Sequence, residues 1–514
     1  MVKTQKGFIF YMIFFALILI TIKTNLSWAI GTYPHIGSYT DYYKINSWSE
    51  KQINRSLMRI IDNLDYGVNV LEGKKGAVIA SPGTAVDPIS GIRQNYRYHW
   101  VRDAAIVMHS LITVYRTSTE PFTRKLVAKH IRDYITFSKE NQAVKSPYGF
   151  GEPKFNLNGT LFDEPWGRPQ NDGPALRALT LMQWIDLLLS EGHNEEARNI
   201  FLNVVLPDLK YTAVNINDNS IDVWEEVMGQ HFFVKIIQSA ALNRGTVMTR
   251  YFQQTSDISK LQNAATSVNA ELSQFFSTEK NYIESTKLNW GDRLHNKSQN
   301  LDVAVILGVL YADIGSDLSF EQSSNLDSWT LATAEKLRSS FEAIYPINKA
   351  GLPGVLIGRY PEDHYFGGNP WPIATLSLAE LYYKTIEKLE LSGQLNANEQ
   401  NIGFFNHLLD LAKEPPIKIG EILNRHDSKF INIKNTLFMA ADAIVYRVRY
   451  HMGTDDDLYE QLDKYTGYLT ALPHLTWSHA AFINTLLKRK NISEKYFNKS
   501  QNISICIGAL SEPK

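Results

Sequence analysis

The sequence predicts an all-α fold, a barrel of helices with a binding site built from long loops at one end. Apolar residues recur at three- and four-residue spacing in about twelve segments, and the alternation typical of β-strands is nearly absent. Ala175, Leu179, Met182 and Ile185 show the helical spacing. Long connections rich in Gly, Pro, Tyr, Trp and Arg separate several segments, and such loops in a compact domain are usually functional.

The predicted helices follow one another along most of the chain. They cover Ser47–Leu64, Asp103–Arg116, Phe122–Phe137, Pro174–Leu189, Glu195–Val214, Phe232–Phe252, Ser259–Phe275, Leu301–Ala312, Trp329–Ile344, Pro372–Leu389, Lys429–Tyr450 and Trp477–Leu487. The long connections are Val78–Trp100, Lys145–Gly173, Gly351–Asn369 and His451–Thr476. Because polar and aromatic residues concentrate in these connections, we expect them to meet at one end of the helical frame.

The N-terminus has the pattern of a secretory signal peptide, predicted to cover residues 1–29. Lys3 and Lys6 precede an apolar run, Phe8–Ile22, and Ser27 and Ala29 are small residues at a cleavage site. A signal anchor is the alternative, but the run is shorter than the ~20 residues that span a bilayer. We expect export to the periplasm or the extracellular space, one catalytic domain at 30–490, a polar tail at 491–514, and a monomer without a stable membrane span.

The composition and the motifs that the sequence lacks limit the kinds of partner and site that we expect. The formal net charge of -1 argues against nucleic acid as a partner, which needs a concentrated basic face. The single cysteine, Cys506, excludes an intrachain disulfide and a cysteine-rich zinc site. The sequence has no HExxH, GxSxG, Walker A or GxGxxG motif, so we expect neither a metal nor a cofactor. The aromatic fraction of 12% suits a neutral, flat ligand, although most of these rings are expected in the core.

The sharpest acidic cluster is formed by Asp222, Glu225 and Glu226 around Trp224. Nearby like charges and burial against an indole raise the pKa of a carboxyl group, as a general acid requires. The alternative is structural, since Asp222 and Glu225 have the spacing of a capping box before a helix.

A second candidate carboxylate, Glu460, lies in the last long loop. On its own it is typical of a solvated surface residue. The pairing with the first cluster matters, because hydrolysis of a glycosidic bond usually needs two carboxyl groups. One group protonates the leaving oxygen, and the other activates water or attacks carbon.

The remaining candidates are arginine–carboxylate pairs and loop tryptophans. Arg102 beside Asp103, following Trp100, offers donors and an acceptor for paired sugar hydroxyls, or forms a structural ion pair at a helix start. Trp166 on a glycine-bounded loop is a candidate stacking surface. Arg359, Asp363 and Trp371 repeat this combination, and loop packing is the alternative for each.

Seven stretches make the chain resemble the glucoamylases of glycoside hydrolase family 15. They are collinear over nearly the whole predicted domain. In order they are GAVIASPGT (Gly76–Thr84), YRYHWVRDAA (Tyr96–Ala105), GEPKFNLNGT (Gly151–Thr160), WGRPQNDGPALRA (Trp166–Ala178), DVWEEVMGQHFF (Asp222–Phe233), GRYPEDHYFGGNPW (Gly358–Trp371) and EQLDKYTGYLTALPHLTWSHAA (Glu460–Ala481).

The resemblance implies an (α/α)6 barrel that releases β-D-glucose, with inversion, from the non-reducing ends of α-glucans. It assigns the general acid to Glu225 and the general base to Glu460, with Asp222 supporting the acid. The same resemblance implies that the other candidates bind substrate: Tyr96, Trp100, Arg102, Asp103, Trp166, Glu226, Arg359, Asp363 and Trp371.

Departures from the family pattern leave alternatives open. Extra residues, VDPISGIRQN, lie between Ser81 and Tyr96, and Ser220 stands where the family pattern has Gly or Pro. No segment after about residue 490 is long enough for a starch-binding module, so soluble dextrins are expected rather than granular starch. The alternatives are a trehalase or glucodextranase on the same fold, a non-catalytic glucan-binding or regulatory domain, and an anchored adhesin.

Overall fold

A computed structural model describes residues 45–64, 73–287, 297–314, 324–453 and 456–497. The predicted signal peptide, Cys506 and most of the predicted tail lie outside these ranges. The helices are α1 (Ile45–Asp62), α2 (Val101–Thr117), α3 (Pro121–Ala143), α4 (Asp172–Ser190), α5 (residues 194–214), α6 (Phe232–Tyr251), α7 (Thr255–Leu272), α8 (Ala304–Ala312), α9 (Ser324–Ile344), α10 (Pro372–Ser392), α11 (Ile402–Leu411), α12 (Ser428–His451) and α13 (Thr476–Tyr496).

The helices form two concentric rings. The inner ring is α2, α4, α6, α8, α10 and α13, each packed against the next, and α13 closes the ring against α2. The outer helices α1, α3, α5, α7, α9 and α12 pack against α13, α2, α4, α6, α8 and α10 respectively. The predicted fold class, an (α/α)6 barrel, is therefore confirmed.

The inner and outer helices differ in how much of their surface is buried, in agreement with their sequence patterns. Every residue of α8 is buried, because an inner helix has neighbours on all sides. In the outer helix α7 the buried residues form one stripe, which includes Leu261, Ala264, Ala265 and Val268. Only this stripe faces the inner ring, so the helical spacing in the sequence is clearest for the outer helices.

All twelve predicted helices are present, with shifted ends. α5 is interrupted by a π-turn, Phe201–Val205, directly before Leu206–Val214. Pro207 explains the interruption, because proline has no N–H for the usual helical hydrogen bond. The short helix α11, which buries Phe404, Phe405, Leu408 and Leu409, was not predicted. α13 continues to Tyr496, past the expected domain end at residue 490.

Short strands stiffen the connections. They are β1 (Thr84–Val86), β2 (Arg93–Asn95), β3 (His99–Trp100), β4 (Lys154–Phe155), β5 (Ser220–Ile221), β6 (Met228–His231), β7 (Phe276–Ser277), β8 (Tyr282–Ile283), β9 (Thr286–Lys287), β10 (Gln394–Asn396), β11 (Ile422–Asn424), β12 (Gln461–Leu462) and β13 (Leu469–Thr470). All pairings are antiparallel: β1–β2, β3–β4, β5–β6, β6–β9, β7–β8, β10–β11 and β12–β13. The extra residues before Tyr96 form the exposed hairpin β1–β2.

The ring arrangement decides where the functional loops meet. Each outer helix carries the chain back along the barrel, so the six inner helices begin at the same end. The connections that precede them therefore share this end, as predicted for four of them. The connections before α6 and α8 join them, which brings the cluster around Trp224 into the same region.

Candidate active site

The candidate site is built from the connections that precede the inner helices. The predicted residues are distributed as follows: Tyr96 and Trp100 precede α2, Arg102 and Asp103 lie in its first turn, Trp166 precedes α4, Asp222, Glu225 and Glu226 precede α6, Arg359, Asp363 and Trp371 precede α10, and Glu460 precedes α13. All the predicted site residues thus lie at one end of the barrel.

Glu225 is held in a tight turn by donors from two other connections. Its backbone has a left-handed φ of 65°, which costs energy in a non-glycine residue and marks a constrained position. Trp100 Nε1 and Gln170 Nε2 each donate to Glu225 Oε1 at 2.8 Å. Arg102 Nη2 lies 3.7 Å from the same oxygen. These donors all face Oε1, and none of them faces Oε2.

Asp222 caps this turn rather than a helix. Its Oδ1 accepts hydrogen bonds from the backbone N–H groups of Glu226 at 2.6 Å and Val227 at 3.0 Å. The next helix, α6, begins only at Phe232, after strand β6. The capping-box alternative is therefore wrong, and the acidic cluster serves to shape the turn that presents Glu225.

A buried ammonium, Lys297 Nζ, lies among three carboxylates. It is 2.7 Å from Asp222 Oδ2, 3.3 Å from Glu226 Oε2 and 3.5 Å from Asp302 Oδ2. Trp224 Nε1 donates to both Asp302 oxygens, at 2.9 and 3.0 Å. Lys297 and Asp302 come from the connection before α8, so this cluster joins the α6 and α8 connections beneath Glu225.

The cluster changes the pKa of its carboxyls in opposite directions. Burial on its own raises the pKa of Asp222, but the Lys297 ammonium, the His231 ring and the hydrogen bonds that Asp222 accepts together outweigh it, and the pKa falls to about 2. For Asp302, burial dominates and raises the pKa to about 6. The sequence-based expectation of mutual pKa raising therefore fails for Asp222, because a cation distant in sequence lies beside it.

Replacing Lys297 by Met removes the ammonium that lies among these carboxylates and leaves buried charge uncompensated. We expect the Lys297→Met variant to lose about 3–5 kcal/mol of unfolding free energy in chemical denaturation. Lys280 is a matched control, since it forms an exposed ion pair with Glu284 at 2.6 Å. Lys280→Met should cost about 0.5 kcal/mol or less. Equal losses in the two variants would contradict the structural role of Lys297.

Arg359 is held by a carboxylate on each side. Its Nε and Nη2 donate to the two Asp363 oxygens at 2.8 and 2.6 Å, and Nη2 lies 2.8 Å from Glu226 Oε1. The Tyr360 hydroxyl donates to Glu226 Oε2 at 2.8 Å. The guanidinium also lies 5.3 Å from the ring centroid of Trp371. These fixed contacts make Arg359, Asp363 and Trp371 one rigid wall of the site.

Arg102 and Asp103 are not each other's main partner. Arg102 Nη1 donates to Asp172 Oδ2 and Gln170 Oε1, both at 2.9 Å, whereas Arg102 Nε and Asp103 Oδ2 are 3.6 Å apart. Consecutive helix positions point in different directions, which explains the weak contact. Burial raises the pKa of Asp103 to about 6. Because the contact to Arg102 is long, the carboxylate of Asp103 is not committed to a bidentate pair and is suited to accept a hydrogen bond from another group.

Aromatic rings form a second wall. The ring centroids of Trp100 and Trp166 are 6.2 Å apart, and those of Tyr96 and Trp100 are 5.4 Å apart. The buried Lys154 Nζ lies 3.2 Å from the Trp166 ring centroid and 4.5 Å from that of Trp100. A cation over the ring faces fixes both indoles, and burial lowers the pKa of Lys154 to about 8.

Glu460 is buried, with an exposed fraction of 1%, in the hairpin that carries β12 and β13. Its backbone N–H donates to the Leu472 carbonyl at 2.8 Å, and its Oε2 has no hydrogen-bond partner among the described residues. Burial raises the pKa of Glu460 to about 8, and a hydrogen bond from Tyr96 and the Arg359 charge act in the opposite direction. The alternative interpretation of Glu460 as a solvated surface residue is therefore wrong.

Comparison with known proteins decides the family. The model of the family "Glycosyl hydrolases family 15" matches residues 56–487, most of the chain. The chain belongs to glycosyl hydrolase family 15. A glucoamylase of Saccharomycopsis fibuligera is 30% identical over 507 residues, with 90% of this chain and 94% of the relative covered. The intracellular sporulation-specific glucoamylase of Saccharomyces cerevisiae is 28% identical over 492 residues, covering 88% and 85%.

Solved structures agree with the sequence relatives. A glucoamylase structure from Saccharomycopsis fibuligera superposes with a TM-score of 0.77 at 28% identity, over 90% of this chain and 100% of that one. The family 15 glucoamylase from Hypocrea jecorina gives a TM-score of 0.75 at 29% identity, over 87% and 73%. The predicted family and its fold are confirmed.

Several residues of this family 15 site were not predicted. Gln170 and Asp172 lie inside the quoted WGRPQNDG stretch, so their motif was a usable signal. Lys297 and Asp302 carry no such signal, since each is a single charged residue in a segment without a motif. Tyr365, whose hydroxyl lies 2.8 Å from that of Tyr96, belongs to the quoted Gly358–Trp371 stretch and was not singled out.

Proposed function

We propose that this glycoside hydrolase is an exo-acting, inverting glucoamylase, a glucan 1,4-alpha-glucosidase. Its substrates are starch-type glucans, dextrins and maltooligosaccharides, and it releases β-D-glucose from their non-reducing ends. The observation that carries the mechanism is the joint placement of Glu225 and Glu460. Trp100 donates to Glu225, the nearby Tyr96 hydroxyl lowers the pKa of Glu460, and the rings of Trp100 and Tyr96 are adjacent.

Glu225 is the general acid in this proposal. Hydrogen bonds from Trp100 and Gln170 fix Oε1, so the group is oriented before the substrate arrives. Oε2 then gives its proton to the glycosidic oxygen as the bond to the anomeric carbon breaks. Positioned proton transfer of this kind is worth about 10²–10⁴-fold in rate. Asp222 supports the acid by accepting backbone hydrogen bonds that hold the turn of Glu225 in place.

Glu460 is the general base. Its free oxygen, Oε2, takes a proton from a water that attacks the anomeric carbon from the face opposite to the leaving group. The ionised form of Glu460 is needed. Tyr96 and Arg359 favour this form, but burial outweighs them and leaves the pKa raised to about 8, so the base is ionised more fully as the pH rises. Attack by water without a covalent intermediate leaves glucose in the β configuration.

The walls of the site bind the terminal glucose. Asp103 accepts from a sugar hydroxyl, and Arg102, held by Asp172, donates to another. Tyr96, Trp100 and Trp166 face the apolar sides of the sugar ring, as aromatic rings commonly do. The rigid wall of Glu226, Arg359, Asp363 and Trp371 completes the contacts around the first two glucose units. A neutral sugar suits this site, because Arg102 and Arg359 are already paired with carboxylates of the protein.

The tyrosine beside the base gives a pH prediction. Because the Tyr96 hydrogen bond lowers the pKa of Glu460, Tyr96→Phe should raise that pKa. The acidic limb of kcat/KM then moves to higher pH, by about one unit for a hydrogen bond to a charged group. Tyr465→Phe is the control, since Tyr465 is an exposed residue of the hairpin that carries Glu460. An unchanged limb in Tyr96→Phe would contradict the contact.

A substrate panel tests the activity. The protein is incubated with maltose, maltoheptaose, isomaltose, dextran and trehalose, and released glucose is followed over time. We expect maltoheptaose and maltose to be hydrolysed fastest. Preference for trehalose or dextran would instead favour the trehalase or glucodextranase alternative, and no hydrolysis of any member would favour a non-catalytic glucan-binding domain.

We propose secretion on the N-terminal pattern alone, and separately we propose that the protein is a monomer. One relative is named as intracellular, so membership of the family does not decide the compartment. None of the helices in the described part of the chain is long and apolar enough to cross a membrane. Intact-mass measurement of the exported protein tests cleavage after Ala29, and retention of residues 1–29 would favour an anchor.

A further inference from the structure

Two histidines and an aspartate meet outside the carboxylate pair, at the base of the hairpin that carries Glu460. Asp457 precedes the hairpin, His474 ends it, and His479 lies in the first turns of α13. Their donor atoms all lie within 4.8 Å of one another. We propose that Asp457, His474 and His479 form a binding site for a divalent transition-metal ion, with Zn²⁺ as the ion that best fits this donor set.

The separation of Asp457 and His479 fits a shared metal ion, and the shorter contact between Asp457 and His474 would have to lengthen when an ion enters. Asp457 Oδ1 lies 2.6 Å from His474 Nδ1 and 3.5 Å from His479 Nε2. Neither ring nitrogen has a hydrogen-bond partner of acceptable geometry among the described residues. Tetrahedral zinc, with ligands at about 2.0–2.2 Å, holds its donors about 3.4 Å apart. Two imidazoles and a carboxylate form a common zinc donor set, which leaves a fourth position for water.

The surroundings orient the donors. His479 is fully buried, and its other ring nitrogen, Nδ1, lies 3.4 Å from Ser56 Oγ, which directs the Nε2 lone pair towards Asp457. Asp457 Oδ1 accepts from the Leu458 N–H at 2.8 Å. His474 is 30% exposed at its side chain, so an ion has a route from solvent.

A metal at this position would tie the two ends of the hairpin to α13. Leu475 N–H donates to the Leu458 carbonyl at 3.1 Å, so the two ends are already adjacent. Asp457 is three residues before Glu460, and His474 is two residues after Leu472, which accepts from the Glu460 N–H. The ion would therefore stabilise the segment that positions the base without touching the substrate.

Zinc stoichiometry tests the site directly. Untagged full-length protein is stripped with EDTA, dialysed, incubated with ZnCl₂, desalted and analysed for bound zinc and for its thermal midpoint with and without zinc. His474→Asn removes one ligand, and asparagine tolerates the left-handed φ of 48° at this position. His426→Ala is the control, because His426 is an exposed histidine of the turn before α12.

We expect one zinc per chain, and a zinc-dependent rise of the thermal midpoint, in the wild type and in His426→Ala. Both should be lost in His474→Asn, and Asp457→Asn should lose them as well. Zinc binding that persists in His474→Asn would place the ion elsewhere and overturn the proposal. A wild-type protein that retains no zinc would overturn it too, leaving an aspartate–histidine ion pair only. Neither outcome depends on glucan hydrolysis, which is measured separately.

Discussion

Replacing Glu225 by Gln should lower kcat on maltoheptaose by about 10³-fold, because the amide N–H is not acidic enough to transfer a proton to the leaving oxygen. The side chain keeps its shape and can still accept from Trp100 Nε1 and Gln170 Nε2 through its carbonyl oxygen, so substrate binding should change little. The measurement is steady-state hydrolysis of maltoheptaose, with KM compared alongside kcat.

A substrate that does not need protonation identifies the acid role. α-D-Glucosyl fluoride has a good leaving group, so Glu225→Gln should lose far less activity on it than on maltoheptaose. Glu164→Gln is the control, since Glu164 is exposed on the loop of Trp166. The assignment fails if Glu225→Gln retains near-wild-type hydrolysis of maltoheptaose, or if it loses both activities equally.

Replacing Glu460 by Gln should also lower kcat by about 10²–10⁴-fold, because no other group would take the proton from the attacking water. The substitution conserves shape in a buried position, so the thermal midpoint serves as a check on folding. Here the loss should be similar on maltoheptaose and α-D-glucosyl fluoride, since water must attack in both reactions.

The two variants therefore differ on glucosyl fluoride, where Glu225→Gln should keep much of its activity and Glu460→Gln should not. A large loss on glucosyl fluoride in Glu225→Gln together with a small loss in Glu460→Gln would exchange the roles of the two residues. Near-wild-type rates for Glu460→Gln on both substrates would remove it from the mechanism.

The fold could be predicted because the spacing of apolar residues differs between helices of the inner ring and helices of the outer ring. The stripe in α7 shows an outer helix, and the continuous apolar run of α8 shows an inner one. α11 was missed because a ten-residue helix carries fewer than three turns of pattern. The loops share one end because inner and outer helices alternate along the chain. The sequence predicts this alternation, but it does not predict the individual contacts between the loops.

The charge partners could not be predicted, because they are set by tertiary contacts. Adjacent residues in the sequence suggested that Arg102 pairs with Asp103, yet Arg102 pairs more closely with Asp172 from a neighbouring inner helix. The pKa of Asp222 depends on Lys297, which only the fold brings close. The burial of Glu460 is likewise a property of the packed hairpin rather than of its polar sequence.

Inversion at the anomeric carbon is tested most directly by proton NMR of the first glucose released from maltoheptaose. The spectra are recorded faster than mutarotation equilibrates the anomers. We predict that the signal of β-D-glucose appears first and that the α-anomer grows in only as mutarotation proceeds. Release of α-D-glucose as the first product would contradict direct attack by a water that Glu460 activates.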